Sequence, residues 1–402
     1  MSSRSTWHIG AGAVGALWLL MALATAVRAV FTPSNLWLPI HLLLLGALSN
    51  AVLIWSTYFS EALLRLPRTR SRVFEGVRLA TFNFGAASVV CGVTADALAP
   101  VVVGAGFAMA AVLWHGSVLL LHIHRSLPSR FGTTVRYYVA ASAFLPIGIG
   151  VGVVMAAHDL ADSTHARNLL AHAALNLLGW IGLTVMGTLV TLWPTMLHTQ
   201  VVSGAEKASR RALPVLATAV VLTAIFAVIG NRQLAALALA AYLVGLVMAG
   251  SPLVKEALHR RPTTFATCSV GLSLLWYFTT VALLAAVVAA GPTWSAAASR
   301  ADRLAAPLLV GFGAQLLIGA LSYLVPVILG GGPTLARSTL AILNAGAPIR
   351  LVALNGGVVA SVLPLPSALR FPLWLPALVA LGAFFPLVVR AVLVRHRGSL
   401  QN

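Results

Sequence analysis

Long apolar runs, broken by short polar connectors, occupy the chain from end to end. Read between charges and turn residues, they predict spans over 8–31, 36–60, 76–96, 98–122, 136–157, 168–196, 212–230, 233–252, 265–290, 304–329, 338–365 and 370–394. Each holds about the 20 apolar residues that a helix needs to cross the hydrocarbon core of a bilayer. The fold class that follows is an all-α integral membrane protein with about twelve transmembrane helices.

The connectors give the expected orientation. Arg65, Arg68, Arg70, Arg72 and Arg78 follow the second span, and Arg125, Arg130 and Arg136 follow the fourth. Lys207, Arg210 and Arg211 follow the sixth, and Lys255, Arg260 and Arg261 the eighth. The alternate connectors are poorer in cations: one holds Asp96, one sets Asp159 and Asp162 against Arg167, and 230–233 holds only Arg232. The positive-inside rule then places both termini in the cytoplasm, in a cell inner (cytoplasmic) membrane. Met1–Ile9 leads into a first run with no small-residue cleavage site, so this run is expected to remain as a span.

The eleventh run is irregular. Gly330–Gly332 and Pro333 break the chain, and Arg350 follows Pro348 inside the next apolar stretch. A central Arg is costly in a bilayer. Either 334–345 lies at the cytoplasmic interface and the span begins near Ile349, or Arg350 is a buried cation that meets an anionic ligand or a cofactor carboxylate.

Composition agrees with a membrane protein. The chain is 59% hydrophobic and only 8% charged, with mean hydropathy +0.95, whereas soluble domains are about 25% charged. The net charge of +18 comes mostly from Arg in connectors, which fits anionic lipid headgroups and not a nucleic-acid face. Cys91 and Cys268 stand in separate apolar runs and read as small buried hydrophobes.

A weak repeat predicts one polytopic domain over 1–402, in three four-helix pseudo-repeats near 1–130, 131–265 and 266–402. His124-Arg125 ends span four, His259-Arg260 span eight and His396-Arg397 span twelve, at separations of 259 − 124 = 135 and 396 − 259 = 137 residues. Pro128 and Phe131 follow the first of these pairs, and Pro262 and Phe265 the second. Gly187-Thr188-Leu189 with Pro194 in span six matches Gly319-Ala320-Leu321 with Pro326 in span ten. These recurrent histidines read as interfacial caps.

Few residues carry chemistry. The eight carboxylates, Glu61, Glu75, Asp96, Asp159, Asp162, Glu206, Glu256 and Asp302, stand at helix ends or in loops, which disfavours a paired-carboxylate hydrolase and a proton-coupled carrier. No Gly-x-Ser-x-Gly, His-Glu-x-x-His or P-loop pattern occurs. His41 and His172 lie several residues into spans two and six, at related positions in two pseudo-repeats. Neutral imidazole ligates heme iron and copper well, so both are candidate cofactor and metal ligands. The alternative is an ordinary hydrogen bond, with Asn50 or Asn176 as partner. His115 is a third candidate metal ligand, sharing a helix face with His122, or else a packing residue. His8, His158, His165 and His198 read as solvated or interfacial. Trp7, Trp37, Trp193 and Trp294 read as interface anchors, Trp114 and Trp180 as deeper residues, and Gly356-Gly357 as helix packing.

Together these features resemble subunit I of the heme-copper oxidase superfamily. The best local match is Ala171–Leu197, whose His172, Asn176, Gly179-Trp180, Gly187 and Pro194 resemble a helix of cbb3-type oxidases and nitric-oxide reductases. The twelve-span pattern is also similar to NnrS-like heme-copper proteins of the nitric-oxide response. Runs such as HLLLLGALSNAVLIWS resemble the membrane segment before cupredoxin domains in actinobacterial multicopper oxidase or nitrite reductase-like proteins; no such domain is expected after Asn402.

The resemblance implies heme b or copper held by His41 and His172, with Arg350 as a further cofactor-binding residue. It implies a quinol or cupredoxin electron partner and redox work on nitric oxide or nitrite. It departs from the family in span seven, which lacks His, and in span ten, where Gln315 stands in place of His, so a complete binuclear oxygen-reducing centre is not expected. The alternatives are a small-molecule or metal transporter, lined by Asn344, Asn355 or Arg350, and a cofactor-free membrane scaffold for a cupredoxin partner.

Overall fold

A computed structural model describes residues 3–32, 36–66, 72–127, 129–330, 332–363 and 367–398. All regular structure among them is helical. The helices are α1 (Ser3–Phe31), α2 (Trp37–Leu63), α3 (Val73–Thr94), α4 (Leu98–Arg125), α5 (Gly132–Ala157), α6 (Asp162–Met196), α7 (Ala205–Val228) and α8 (Arg232–His259). There follow α9 (Phe265–Ala290), the short α10 (Trp294–Ala301), α11 (Pro307–Leu329), α12 (Gly332–Leu343), α13 (Ala347–Val362), α14 (Ser367–Gly382) and α15 (Phe384–Gly398).

Among the described residues, 11 helical stretches are long and apolar enough to cross a membrane, α14 and α15 counting as one through Leu373–Arg395. The bent pair α12–α13 makes a twelfth when taken as one span. Leucine, valine, isoleucine and phenylalanine side chains cover the outward faces, as at Leu17, Phe74, Leu237 and Ile349, which is the surface that lipid solvates. The chain is a multi-pass, all-α membrane protein.

The eleventh span is broken. Asn344–Gly346, with Gly346 in the left-handed region at φ +64°, separates α12 from α13 at a bend of 40°. Arg350 stands in the first turn of α13, next to the bend.

The helices form two compact units. One comprises Met1–Leu48, Arg261–Thr280 and Arg303–Asn402, and the other Ser49–Arg260 with Val281–Asp302. In the second unit, α3 and α4 form a close hairpin. A Cβ on Gly85 would lie 2.5 Å from the Ala108 nitrogen and 2.6 Å from the Gly104 oxygen, so the two backbones touch directly.

One local device recurs three times. Each of α2, α6 and α11 widens into a π-helical stretch, over Leu42–Leu48, Ala174–Gly182 and Pro307–Ala314. Within each stretch a glycine receives an aromatic ring from the preceding long helix: Trp18 lies on Gly46, Phe144 on Gly179 and Trp276 on Gly311. One turn or two further on, Gly187 lies against Tyr137 as Gly319 lies against Ser269, with both members offset by 319 − 187 = 132 residues.

Several side chains depart from the sequence expectation. Arg78, counted among the connector cations, lies inside α3 and is 3% exposed, because a hydroxyl on α2 takes its N–H. Trp193, expected as an interface anchor, is 2% exposed and donates its indole N–H to the Leu253 carbonyl at 3.0 Å. Cys91, expected to be buried, is exposed on the outer face of α3, while Cys268 is half-buried. His8, expected to be solvated, is buried. Arg68, Arg70, Pro128 and Gly331, and the side chains of His396 and Arg397, lie outside the described residues.

Candidate functional site

A buried polar cluster lies where α2, α3 and α4 meet in the second unit. Ser56, Thr57 and Ser60 stand within about one turn of α2. Each hydroxyl donates its one proton to a carbonyl of its own helix: Ser56 to Val52 at 2.6 Å, Thr57 to Leu53 at 3.0 Å and Ser60 to Thr57 at 2.8 Å. Only the oxygen lone pairs then remain for neighbours. Ser56 Oγ accepts from His115 Nε2 at 2.9 Å, Thr57 Oγ1 from Arg78 Nη2 at 3.0 Å and Ser60 Oγ from His122 Nδ1 at 2.9 Å.

Proton counting thus fixes both imidazole tautomers. His115 carries its proton on Nε2, leaving the Nδ1 lone pair buried and without a partner among the described residues. Arg78 Nε is likewise buried and without a partner there. At the helix ends nearby, Arg72 binds Glu75 at 2.7 Å and Glu61 at 3.2 Å. Two carboxylates thus balance two guanidiniums at this corner. His115 and His122 do share a face of α4, as their spacing predicts, and both donate to α2. A metal cation on His115 Nδ1 would have to tolerate Arg78 nearby on the neighbouring helix, whose positive charge opposes it.

The tautomer assignment has a testable consequence. Ser56→Ala strands the buried His115 N–H and is expected to cost about 1–3 kcal/mol, whereas His115→Leu removes both partners' needs and is expected to be close to neutral. Unfolding midpoints of the two variants in detergent decide it; a larger loss for His115→Leu contradicts the assignment.

His172 and Asn176, one turn apart on α6, sit in a groove cut by Gly148 and Gly152 of α5. His172 Nδ1 donates to the Gly148 carbonyl at 2.8 Å. That carbonyl can only accept, so the lone pair is on Nε2; the Asn176 amide nitrogen lies 3.2 Å from both ring nitrogens. Asn176 Oδ1 is buried without a partner among the described residues. A Cβ on Gly148 would collide with that amide oxygen, and one on Gly152 would lie 2.9 Å from His172 Cε1. Trp180, two turns along, is fully buried and donates to Ser49 Oγ at 3.0 Å. The expected pairing of His172 with Asn176 is therefore present. Asn50, the other candidate partner, instead exchanges two amide hydrogen bonds with Asn83, at 2.9 and 2.8 Å.

His41 belongs to the other unit. Its Nδ1 donates to the Trp37 carbonyl at 2.8 Å and its ring stacks on Trp37 with centroids 4.1 Å apart, so its lone pair too is on Nε2. In the same unit Arg350 is 6% exposed, lies 3.6 Å from the Phe265 ring centroid and donates to the Leu343 carbonyl at 3.1 Å. Asn344 accepts from the Phe265 backbone N–H at 2.6 Å, and Asn355 accepts from the Trp276 indole at 2.8 Å. Gln315 is fully buried, with neither amide atom bonded among the described residues.

Compared with known proteins, the chain matches no protein-family model and no curated protein. The side chains alone therefore carry the functional reading. Among the described residues, no group of three or more His, Cys, Asp or Glu is placed to hold a metal ion. The sequence singled out His41, His115, His172 and Arg350 as candidates, did not single out Ser56, Thr57 and Ser60, and placed Arg78 in a connector. Hydroxyls at 56, 57 and 60 in an apolar run were the available signal, since they recur at helical spacing on one side.

Proposed function

We propose that the chain is a heme- or copper-associated membrane protein of redox type, holding a cofactor through His172; His41, in the other unit, is a separate candidate ligand. The observation that supports it is the His172 Nδ1–H bond to the Gly148 carbonyl. Such a bond fixes ring and tautomer and raises the basicity of the other nitrogen, as the outer partners of ligating histidines do. The residues fit one imidazole ligand: Nε2 carries the lone pair, and the Asn176 amide must turn aside from it. No binuclear site enters the proposal. Heme iron bound there would take up and release single electrons. The protein's part is to seat the imidazole in the glycine groove and, through the buried Trp180 and the Phe144–Gly179 contact, to keep that stretch of α6 packed and dry. A quinol or a cupredoxin is the proposed electron partner, and nitric oxide or nitrite the proposed substrate class.

The test is a reduced-minus-oxidised visible spectrum of purified protein, with iron and copper quantified. A b-type signal lost in His172→Ala is the expected result. No heme and no metal, in protein made with both supplied, overturns the proposal.

A second reading, carriage of a small polar molecule, is favoured by one observation: His115 Nδ1 and Arg78 Nε are a buried acceptor and a buried donor at one helix junction. Substrate-dependent uptake into proteoliposomes that fails in Arg78→Gln would support it over the redox role.

A further inference from the structure

The buried guanidinium of Arg350 meets no carboxylate among the described residues. All eight Asp and Glu residues of the chain lie in 49–260 or 281–302, so the unit that contains Arg350 has none at all. Among the described residues the ion pairs are those of Arg72 and Arg210, and Arg350 makes none. Its Nη1 is used on the Leu343 carbonyl at the end of α12, and one face of the guanidinium rests on Phe265. Nε and Nη2 are buried with no partner among the described residues. A guanidinium is always charged in a protein, and burying a charge without a counter-ion is strongly unfavourable. The first turn of a helix, where Arg350 stands, also favours negative over positive charge.

The surroundings show where a counter-ion would come from. Asn344, Ala345 and Gly346 at the bend are exposed, and Ile349 and Val352, either side of Arg350 in sequence, are 77% and 74% exposed. The unbonded N–H groups therefore lie just beneath an open, apolar-flanked bend. Nε and Nη2 are two of the donors of a planar fork, a geometry that matches two oxygens of one phosphate.

We infer that the α12–α13 bend is a binding site for a phosphate-class anion, seated on Arg350 Nε and Nη2 with Phe265 as its floor. The anion is either the headgroup phosphate of an acidic lipid or free phosphate. The site is independent of the cofactor proposed at His172, and its test needs no cofactor.

The experiment follows thermal unfolding of the detergent-purified full chain with added phosphatidylglycerol, phosphatidylcholine or inorganic phosphate. A rise in Tm of about 2–5 °C is the scale that ligand linkage gives a chain of this size. A rise with phosphatidylglycerol only identifies a lipid site; a rise with inorganic phosphate as well identifies a general anion site. Either rise should vanish in Arg350→Gln and shrink in Arg350→Lys, which keeps the charge but loses the fork. No rise in the wild type overturns the site, whatever the fate of the variants, and so does a full rise that persists in Arg350→Gln.

Discussion

Gly85→Ala is expected to be among the most damaging single-methyl additions in this chain. The α3–α4 hairpin closes backbone to backbone, with the Gly85 Cβ position 2.5 Å from the Ala108 nitrogen and 2.6 Å from the Gly104 oxygen. No side chain can swing away to relieve that contact, so the helices must part. Overpacking of this kind costs about 1–3 kcal/mol, and the upper end applies where only backbone can yield. Parting the hairpin also disturbs Arg78 on α3 and His115 on α4, whose bonds to Thr57 and Ser56 hold both helices to α2. Gly106→Ala is the control, since a Cβ there meets nothing within 4 Å and alanine favours helix by about 1 kcal/mol over glycine. Unfolding midpoints in detergent should fall for Gly85→Ala and hold or rise for Gly106→Ala. Equal midpoints would show that the hairpin is looser than described.

Gly148→Ala should remove most of any cofactor signal without touching a candidate ligand. The added methyl occupies the position of Asn176 Oδ1. Asn176 turning aside does not by itself harm the site; the expected loss comes from the added methyl also pressing α6 away, which opens the His172 bond to the Gly148 carbonyl. Loss of such an orienting partner typically weakens a metal–imidazole site 10- to 100-fold, so heme or copper content at limiting cofactor is expected to drop by about that factor. Gly150→Ala, two residues on and meeting nothing within 4 Å, should keep full content. Full occupancy in Gly148→Ala would mean that the seat does not orient the ligand, even if His172→Ala still abolishes binding.

The helices and their number were legible because a spanning segment has to be apolar for most of its length, which leaves a continuous signal in the chain. The bend before Arg350 was legible only as one of two alternatives, the one that ended an interfacial segment at Ala345 and began the span near Ile349. The partners were not. Arg78 read as a topology signal because a cation near the start of a run is normally solvated; its bond to Thr57, 21 residues away, and the nearby carboxylates of Glu61 and Glu75 make its burial tolerable. Trp193 read as an anchor because its depth was inferred from sequence position, whereas its indole bonds across to Leu253, 60 residues on. The pairing of His172 with Asn176 was foreseen because both residues lie on one helix turn, but the Gly148 carbonyl that sets the tautomer lies on another helix. Local spacing thus identified candidate atoms, and tertiary contacts decided their protonation.

The wide turns in α2, α6 and α11 give these helices a tolerance of length that a regular rod lacks. Each residue advances a regular helix by about 100°, and a π turn absorbs one extra residue without lengthening the rod appreciably. Excising a single residue between Ala174 and Gly182 would let α6 relax to a regular helix that still spans the membrane. Because the wide turn had absorbed that residue, Thr184 and Gly187 beyond the cut would keep the faces they now occupy, as would His172 before it. The same excision from a regular stretch of α6 would turn everything beyond it by about 100°, so the three π stretches are the places where these helices can change by one residue without changing the faces they present.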